Sequence, residues 1–365
     1  MNKKRLISIA LSLAVSALAL WLFFANKQLT WSAMVAAVSR TNLGWLCLSV
    51  GIFVGSFWLR ALRWRYLTAP LKRIASGPLF SALMIGFMAN NLLPAHLGEF
   101  VRAYVLGRRE SISKSSVLAT VVVERIFDGL TILTLFLVSV FFFLDPSELV
   151  IDLHRSLPGL WDLVAGPTGH WLTPGAHLDL RLVALLVLAF YVAAMVMVIV
   201  LRVRSGLVLG PVAWCCRLLP ASLGDRVVGL LRSFVEGLRF RRGLDLLWIV
   251  VYSFAIWLTL GFHVWVLTWS LGIHVGYAGA VFVEMAIAIM VMVPAAPGYL
   301  GTHQLAGATT LGLLAVSAGA AGAFAWLAWL IGYVPVVLIG MVCLWREGLS
   351  LRVLGAEART EVESG

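Results

Sequence analysis

Asn90-Asn91-Leu92-Leu93-Pro94-Ala95-His96-Leu97-Gly98-Glu99 cuts through an apolar run that begins at Leu79. Met292-Val293-Pro294-Ala295-Ala296-Pro297-Gly298-Tyr299-Leu300-Gly301 cuts in the same way through a second run, Ala278–Val316. Proline disfavours helical geometry in the residue before it. Leu93 is therefore read as extended, with a new helix starting near Gly98. Irregular backbone at membrane depth is tolerated only where it is buried in protein or lines a wet cavity, because an unsatisfied peptide group in hydrocarbon costs several kcal/mol. Whether each run crosses or turns back decides the fold.

The rest of the chain supplies the frame. A spanning helix needs about 20 mostly apolar residues. Six stretches qualify: Leu6–Phe24, Leu43–Leu59, Val117–Leu144, Leu180–Leu201, Leu247–Leu271 and Ala323–Leu344. Leu6–Phe24 follows Lys3, Lys4 and Arg5 like a signal peptide. It is longer than the 7–15 residues or so of a signal core and ends in Trp21-Leu22-Phe23-Phe24, so it is read as the first span.

Lysine and arginine concentrate on the cytoplasmic side of membrane proteins. With a cytoplasmic N-terminus and both interrupted runs turning back, the basic clusters Arg60–Arg73, Arg102–Lys114 and Arg202–Arg242 all fall on one side, with the N-terminus and the stretch after Trp345. Lys27, Arg40, Arg155 and Arg181 remain outside, and Arg125 lies within a span. A full crossing by either run would scramble this asymmetry. Two broken elements of opposite topology mark inverted-repeat transporters.

The expected fold is thus an all-α polytopic integral membrane bundle, an inverted repeat of about six full spans and two oppositely oriented re-entrant helical hairpins. It forms a single domain over residues 1–346, with an outer loop at 145–179, a cytoplasmic amphipathic region at 202–246 and a polar cytoplasmic tail at 347–365. Within the amphipathic region Val227, Leu230, Leu231, Phe234 and Leu238 share a helix face. That face fits the inner leaflet and fits packing on the bundle equally well.

Composition agrees. The 365 residues are 61% hydrophobic and 12% charged, against about 25% charged in soluble domains. The net charge of +11 lies in short runs between apolar stretches, which points to anionic lipid headgroups and not to nucleic acid. His154, His170 and His177 match no zinc spacing. Cys47, Cys215, Cys216 and Cys343 suggest neither a metal site nor a disulfide framework. No cofactor or metal is expected. A phosphate-binding G-x-x-x-x-G-K-[ST] loop, H-E-x-x-H, D-x-D and G-x-S-x-G are all missing from the sequence.

Candidate functional residues gather at the breaks and in one span. Asn90, Asn91, His96, Glu99 and Arg102 surround the first break. A helix N-terminus near Gly98 suits a phosphate, and Arg102 adds bidentate donors. The same residues fit an interfacial loop whose arginine snorkels to lipid phosphate. Glu124 and Asp128 share a face of the third span, with Arg125 within reach of Asp128. Charges at such depth face the bundle interior and usually mark a pathway, though an ion network that locks helices fits as well. At the second break Pro297, Gly298 and Gly301 permit close backbone approach, and Thr302, His303 and Gln304 bring hydrogen-bonding groups to a helix start. Glu284, alone among apolar residues, has three readings: partner of Arg125, proton relay, or residue near the outer interface.

These residues resemble a known family. Asn90-Asn91-Leu92-Leu93-Pro94, Gly98-Glu99, Arg102 and Val123-Glu124-Arg125-Ile126-Phe127-Asp128-Gly129 look like the N-terminal signature of the lysylphosphatidylglycerol-synthase-like transmembrane family. Pro294-x-x-Pro297-Gly298-Tyr299-Leu300-Gly301-Thr302 is similar to its C-terminal signature, and the resemblance runs from about Leu43 to Arg346. It implies a flippase-like domain, here without the aminoacyl-transfer domain of the synthases. Where the family often carries Glu near the end of the second signature, this chain has His303-Gln304.

The expected function is movement of an anionic lipid or polyprenyl-phosphate headgroup between the leaflets of the inner (plasma) membrane. Arg102 and Arg125 would neutralise the headgroup, while Glu99, Glu124 and Asp128 hold the arginines or respond to protons. One alternative is a membrane-embedded enzyme of lipid or glycolipid biosynthesis with His96, Glu99 and Glu124 as acid or base. Another is an accessory partner of such an enzyme.

Overall fold

The computed structural model describes residues 3–25, 30–93, 97–143, 150–152, 177–179, 243–293 and 295–349, with single helical positions at 189, 193, 210, 211, 214 and 229. Apart from those single positions, the expected span Leu180–Leu201 and residues 202–242 lie outside the described residues, as do most of the 145–179 loop, the tail beyond 349 and His96.

The described chain is helical: α1 (Lys3–Ala25), α2 (Trp31–Ser39), α3 (Leu43–Thr68), α4 (Ser76–Leu92), α5 (Gly98–Glu110), α6 (Lys114–Val138, ending in a π turn over Ser139–Phe143), α7 (Gly243–Ser270), α8 (Tyr277–Val291), α9 (Thr302–Leu313) and α10 (Ala318–Arg346). Two three-residue strands, β1 (Val150–Asp152) and β2 (His177–Asp179), pair antiparallel within the expected outer loop. Among the described residues three helices are long and apolar enough to cross a membrane: Leu43–Thr68, Leu244–Ser270 and Ala318–Arg346. At about 1.5 Å per residue each exceeds the roughly 30 Å of hydrocarbon.

Local chemistry sets the boundaries. Asn42 caps α3, its Oδ1 accepting from the N–H groups of Gly44 at 3.0 Å and Trp45 at 3.2 Å. Leu93 is extended (φ −107°, ψ 144°), as the following proline requires. Asn90 and Asn91 belong to the last turn of α4, so the first break falls two residues later than the pair that flagged it. A larger correction concerns α3. It runs to Thr68, nine residues past the expected end at Leu59, and so includes Arg60, Arg63 and Arg65 in the helix. No Gly or Pro stops it before Pro70, and arginine is a good helix former. Inside, Arg60 and Arg63 meet counter-charges.

The two interrupted runs fold as helix pairs, α4–α5 and α8–α9, that open at opposite ends of α10. Glu347, just past the C-terminus of α10, accepts from Ser81 Oγ near the start of α4 at 2.7 Å and pairs with Arg109 near the end of α5. Lys72, just before α4, pairs with Glu110 at 2.8 Å. At the other end Asn42 N donates to Ser270 O at 2.7 Å, joining the start of α3 to the end of α7. Gly319, near the start of α10, abuts Ala33 there, and the start of α8 meets the end of α9 where Gly279 faces Leu314. The two breaks therefore point toward each other.

They meet beside the midpoint of α10. Asn91 Nδ2 donates to Gly332 O at 3.3 Å, and Trp329 Nε1 donates to Gly298 O at 2.7 Å. Gly298 has φ +71°, and a Cβ there would press on the Tyr333 ring; glycine alone meets both demands at low cost. Apolar packing follows the same division. One cluster joins α3, α4, α5 and α6 to the end of α10. Another joins α7, α8 and α9 to its start.

Candidate functional site

A cavity of about 470 Å³ lies where the breaks meet, lined by residues of every helix from α3 to α10. Its lining is mostly apolar and aromatic, including Phe53, Phe57, Phe87, Trp257, Trp329 and Tyr333. Into this surface come a few polar groups, the pattern of a ligand site.

A buried ion network forms one side. Arg63 on α3 donates from Nη1 to Asp128 Oδ1 at 2.6 Å and to Ser253 Oγ at 2.9 Å, and its Nη2 lies 3.3 Å from Glu124 Oε1. Arg102 on α5 grips Glu124 with both terminal nitrogens, and its guanidinium lies 3.6 Å over the Trp64 ring. Trp257 Nε1 donates to Asp128 Oδ1 at 3.1 Å. The side chains of Arg63 and Glu124 are 0% exposed. A charge at such a position is sustained only by close counter-charges and hydrogen bonds, which ties α3, α5, α6 and α7 together.

The cavity-facing edge of the network is looser. Arg60 Nη1 lies 3.6 Å from Asp128 Oδ2, and Arg125 Nη1 lies 3.8 Å from the same oxygen. That oxygen accepts no hydrogen bond among the described residues. Arg125 Nε donates to Glu99 Oε1 at 2.6 Å, with the two side chains 37% and 31% exposed. Arg60 also faces the rings of Phe87 and Trp257, at 5.5 and 5.2 Å. Two arginines thus keep donor capacity where a ligand can reach it.

Of the residues singled out from sequence, Asn90, Asn91, Glu99, Arg125, Asp128, Gly298 and His303 line the cavity. Arg102 and Glu124 do not; they stand one layer behind, each consumed by the other. Asn90 Oδ1 accepts from Gly98 N at 2.7 Å. That N–H, expected to be free for a phosphate at the start of α5, is capped from within. The remaining residues of the second break build its turn. Gly301 N donates to Gln304 Oε1 at 2.8 Å, and Thr302 Oγ1 donates to Tyr299 O at 3.1 Å. Pro297 opens the short 3₁₀ turn Pro297–Tyr299, and Ala296 N donates to Ser16 Oγ of α1 at 2.7 Å.

The structure adds residues that the sequence reading passed over. Arg60 and Arg63 were assigned to a cytoplasmic cluster, although their spacing of three already put them on one helix face. His263 in the apolar α7 also lines the cavity, its Nδ1 held 2.7 Å from Ser49 Oγ. Glu284, already singled out from sequence, lines it from α8.

Comparison with known proteins agrees with the residue signatures. Residues 9–340 match the family described as Lysylphosphatidylglycerol synthase TM region. The chain is 34% identical over 123 residues to Glycosyltransferase AglD of Haloferax volcanii, across 33% of this chain but only 19% of that relative. It is 28% identical over 251 residues to a UPF0104 membrane protein of Methanothermobacter thermautotrophicus, across 67% of this chain and 68% of the relative. It is 22% identical over 259 residues to UPF0104 membrane protein MJ1078 of Methanocaldococcus jannaschii, across 70% and 92%. No solved structure matches the chain.

Proposed function

The chain is a membrane protein that belongs to the lysylphosphatidylglycerol synthase TM region family, and on that premise we propose that it moves an anionic lipid or polyprenyl-phosphate headgroup between leaflets through the cavity at the meeting of its two breaks. The observation that carries this reading is the pair of cavity arginines, Arg60 and Arg125: both face Asp128 Oδ2 from beyond hydrogen-bond distance, at 3.6 and 3.8 Å, and among the described residues Arg125 is hydrogen-bonded only through Nε, to Glu99. An anionic oxygen entering the cavity gains charge-assisted bonds from both. Its acyl or prenyl tail stays in lipid.

The α4–α5 and α8–α9 pairs are re-entrant hairpins in this reading, entering from opposite sides of the inner membrane, with N- and C-termini cytoplasmic. Support comes from their mouths, which join opposite ends of α10, and from their breaks, which lie beside its midpoint. Arg63, Arg102 and Glu124 then act as a rigid scaffold that positions Asp128 and Arg125 and do not contact the headgroup. The expected partners are membrane lipids, with an enzyme of lipid biosynthesis as a possible supplier.

A second reading, as an enzyme or accessory subunit of glycolipid biosynthesis, is favoured by the name of the AglD relative. Its candidate acid–base groups fare unequally. Glu124 is saturated by Arg102 and Arg63, which leaves Glu99 as the accessible carboxylate. Deleting the gene and measuring both the total of each membrane lipid and its accessibility at the outer leaflet separates the two. Transport predicts an unchanged total with altered accessibility of one anionic lipid. Loss of a lipid species from the total pool would overturn transport in favour of synthesis.

A further inference from the structure

Glu284 is the one cavity carboxylate that the ion network leaves out. It sits on α8 and, among the described residues, makes no hydrogen bond or ion pair. Arg60 of α3 lines the same cavity. Other titratable groups reach the same cavity: Glu99 from α5, Arg125 and Asp128 from α6, His263 from α7 and His303 from α9. Tyr299 from the second break and Tyr333 from α10 complete the set.

Charge balance gives Glu284 a role. The network joins four arginines (Arg60, Arg63, Arg102, Arg125) to three carboxylates, Glu99, Glu124 and Asp128. One positive charge is left over, and an ionised Glu284 cancels it. When a singly charged anionic headgroup takes Arg60 and Arg125, the cavity holds one negative charge too many. In a site with so few polar groups an uncompensated charge is costly, and a buried carboxylate relieves such an excess by binding a proton.

We propose that Glu284 takes up a proton when an anionic headgroup occupies the cavity and releases it when the headgroup leaves, so that lipid movement is coupled to proton movement. The proton comes from water on the side to which the cavity is open and returns to water on the side of release. No other bond is made or broken. This inference rests on the transport reading.

Calorimetric titration of the full-length protein in detergent tests it, with dihexanoyl phosphatidylglycerol, a phosphodiester of fixed single charge, as probe, in buffers of differing ionisation heat. Binding of a probe is expected to take up about one proton, with affinity falling about tenfold per pH unit where Glu284 is ionised in the free protein. Glu284→Gln should bind without uptake and with a flat pH profile. Glu284→Asp, which keeps the carboxyl group, should retain uptake. Wild-type binding without proton uptake overturns the inference and leaves transport standing, as does uptake that persists in Glu284→Gln. Failure of the wild type to bind the probe removes the transport reading and the inference with it.

Discussion

Three arginines touch Asp128, and they are not equivalent. Arg63 is fully enclosed and satisfies Asp128 and Glu124 together. Its removal leaves two buried carboxylates short of a partner, a defect that costs about 3–5 kcal/mol. Arg63→Ala should therefore sharply lower the yield of folded protein and its melting temperature in detergent. Arg125 is more than a third exposed, and in the transport reading part of its role is to hold the headgroup. Arg125→Ala should insert and fold with a smaller loss of melting temperature, yet lose transport. Equal melting temperatures for the two variants would contradict this division. The sequence revealed only half of the arrangement. Glu124, Arg125 and Asp128 stood out because charges are rare within an apolar run. Arg60 and Arg63 lie at the end of one, where a buried arginine and a headgroup-facing arginine look the same until a partner helix is known.

Broken helices were the most legible elements. Proline fixes its neighbour's backbone locally, so Leu93 and the restart at Gly98 could be read from a few residues. Which surfaces the breaks touch depends on helices far away in sequence, and the contacts with Gly332 and Trp329 had no local signal. Gly86 and Gly98 show how close the first pair comes. A Cβ on Gly98 would run into the Gly86 carbonyl oxygen and the Asn90 side chain. Gly98→Ala should spread α4 from α5, break the Asn90 cap and cost about 1–3 kcal/mol, read as a lower melting temperature. Gly129, with open space around it, should tolerate alanine with no such drop. Re-entry is checked by single cysteines placed at Lys72, Glu110, Tyr277 and Val316 after replacement of Cys47, Cys215, Cys216 and Cys343. A membrane-impermeant thiol reagent applied from outside should label Tyr277→Cys and Val316→Cys and spare Lys72→Cys and Glu110→Cys. A split within either pair would show that its hairpin crosses the membrane.

Across the whole molecule, α10 is the common wall. One half packs against the end that carries Glu347 and the other against the end that carries Ala318, and the cavity sits between. The chain thus carries a low-dielectric chamber at mid-length whose polar groups are mostly spoken for, with spare capacity left on Arg60 and Arg125. That arrangement fits transient binding better than chemistry. A transported headgroup must be held firmly enough to enter and loosely enough to leave. Reconstitution tests this most directly. Vesicles of phosphatidylethanolamine and phosphatidylglycerol would carry traces of acyl-labelled phosphatidylglycerol, labelled polyprenyl phosphate or, as control, labelled phosphatidylcholine, and the transfer of label between leaflets would be timed. The account predicts that wild-type protein speeds transfer of an anionic probe and leaves phosphatidylcholine at the protein-free rate, while Arg125→Ala, inserted in equal amount, moves none of them. Transfer of the anionic probe by Arg125→Ala at the wild-type rate would contradict it.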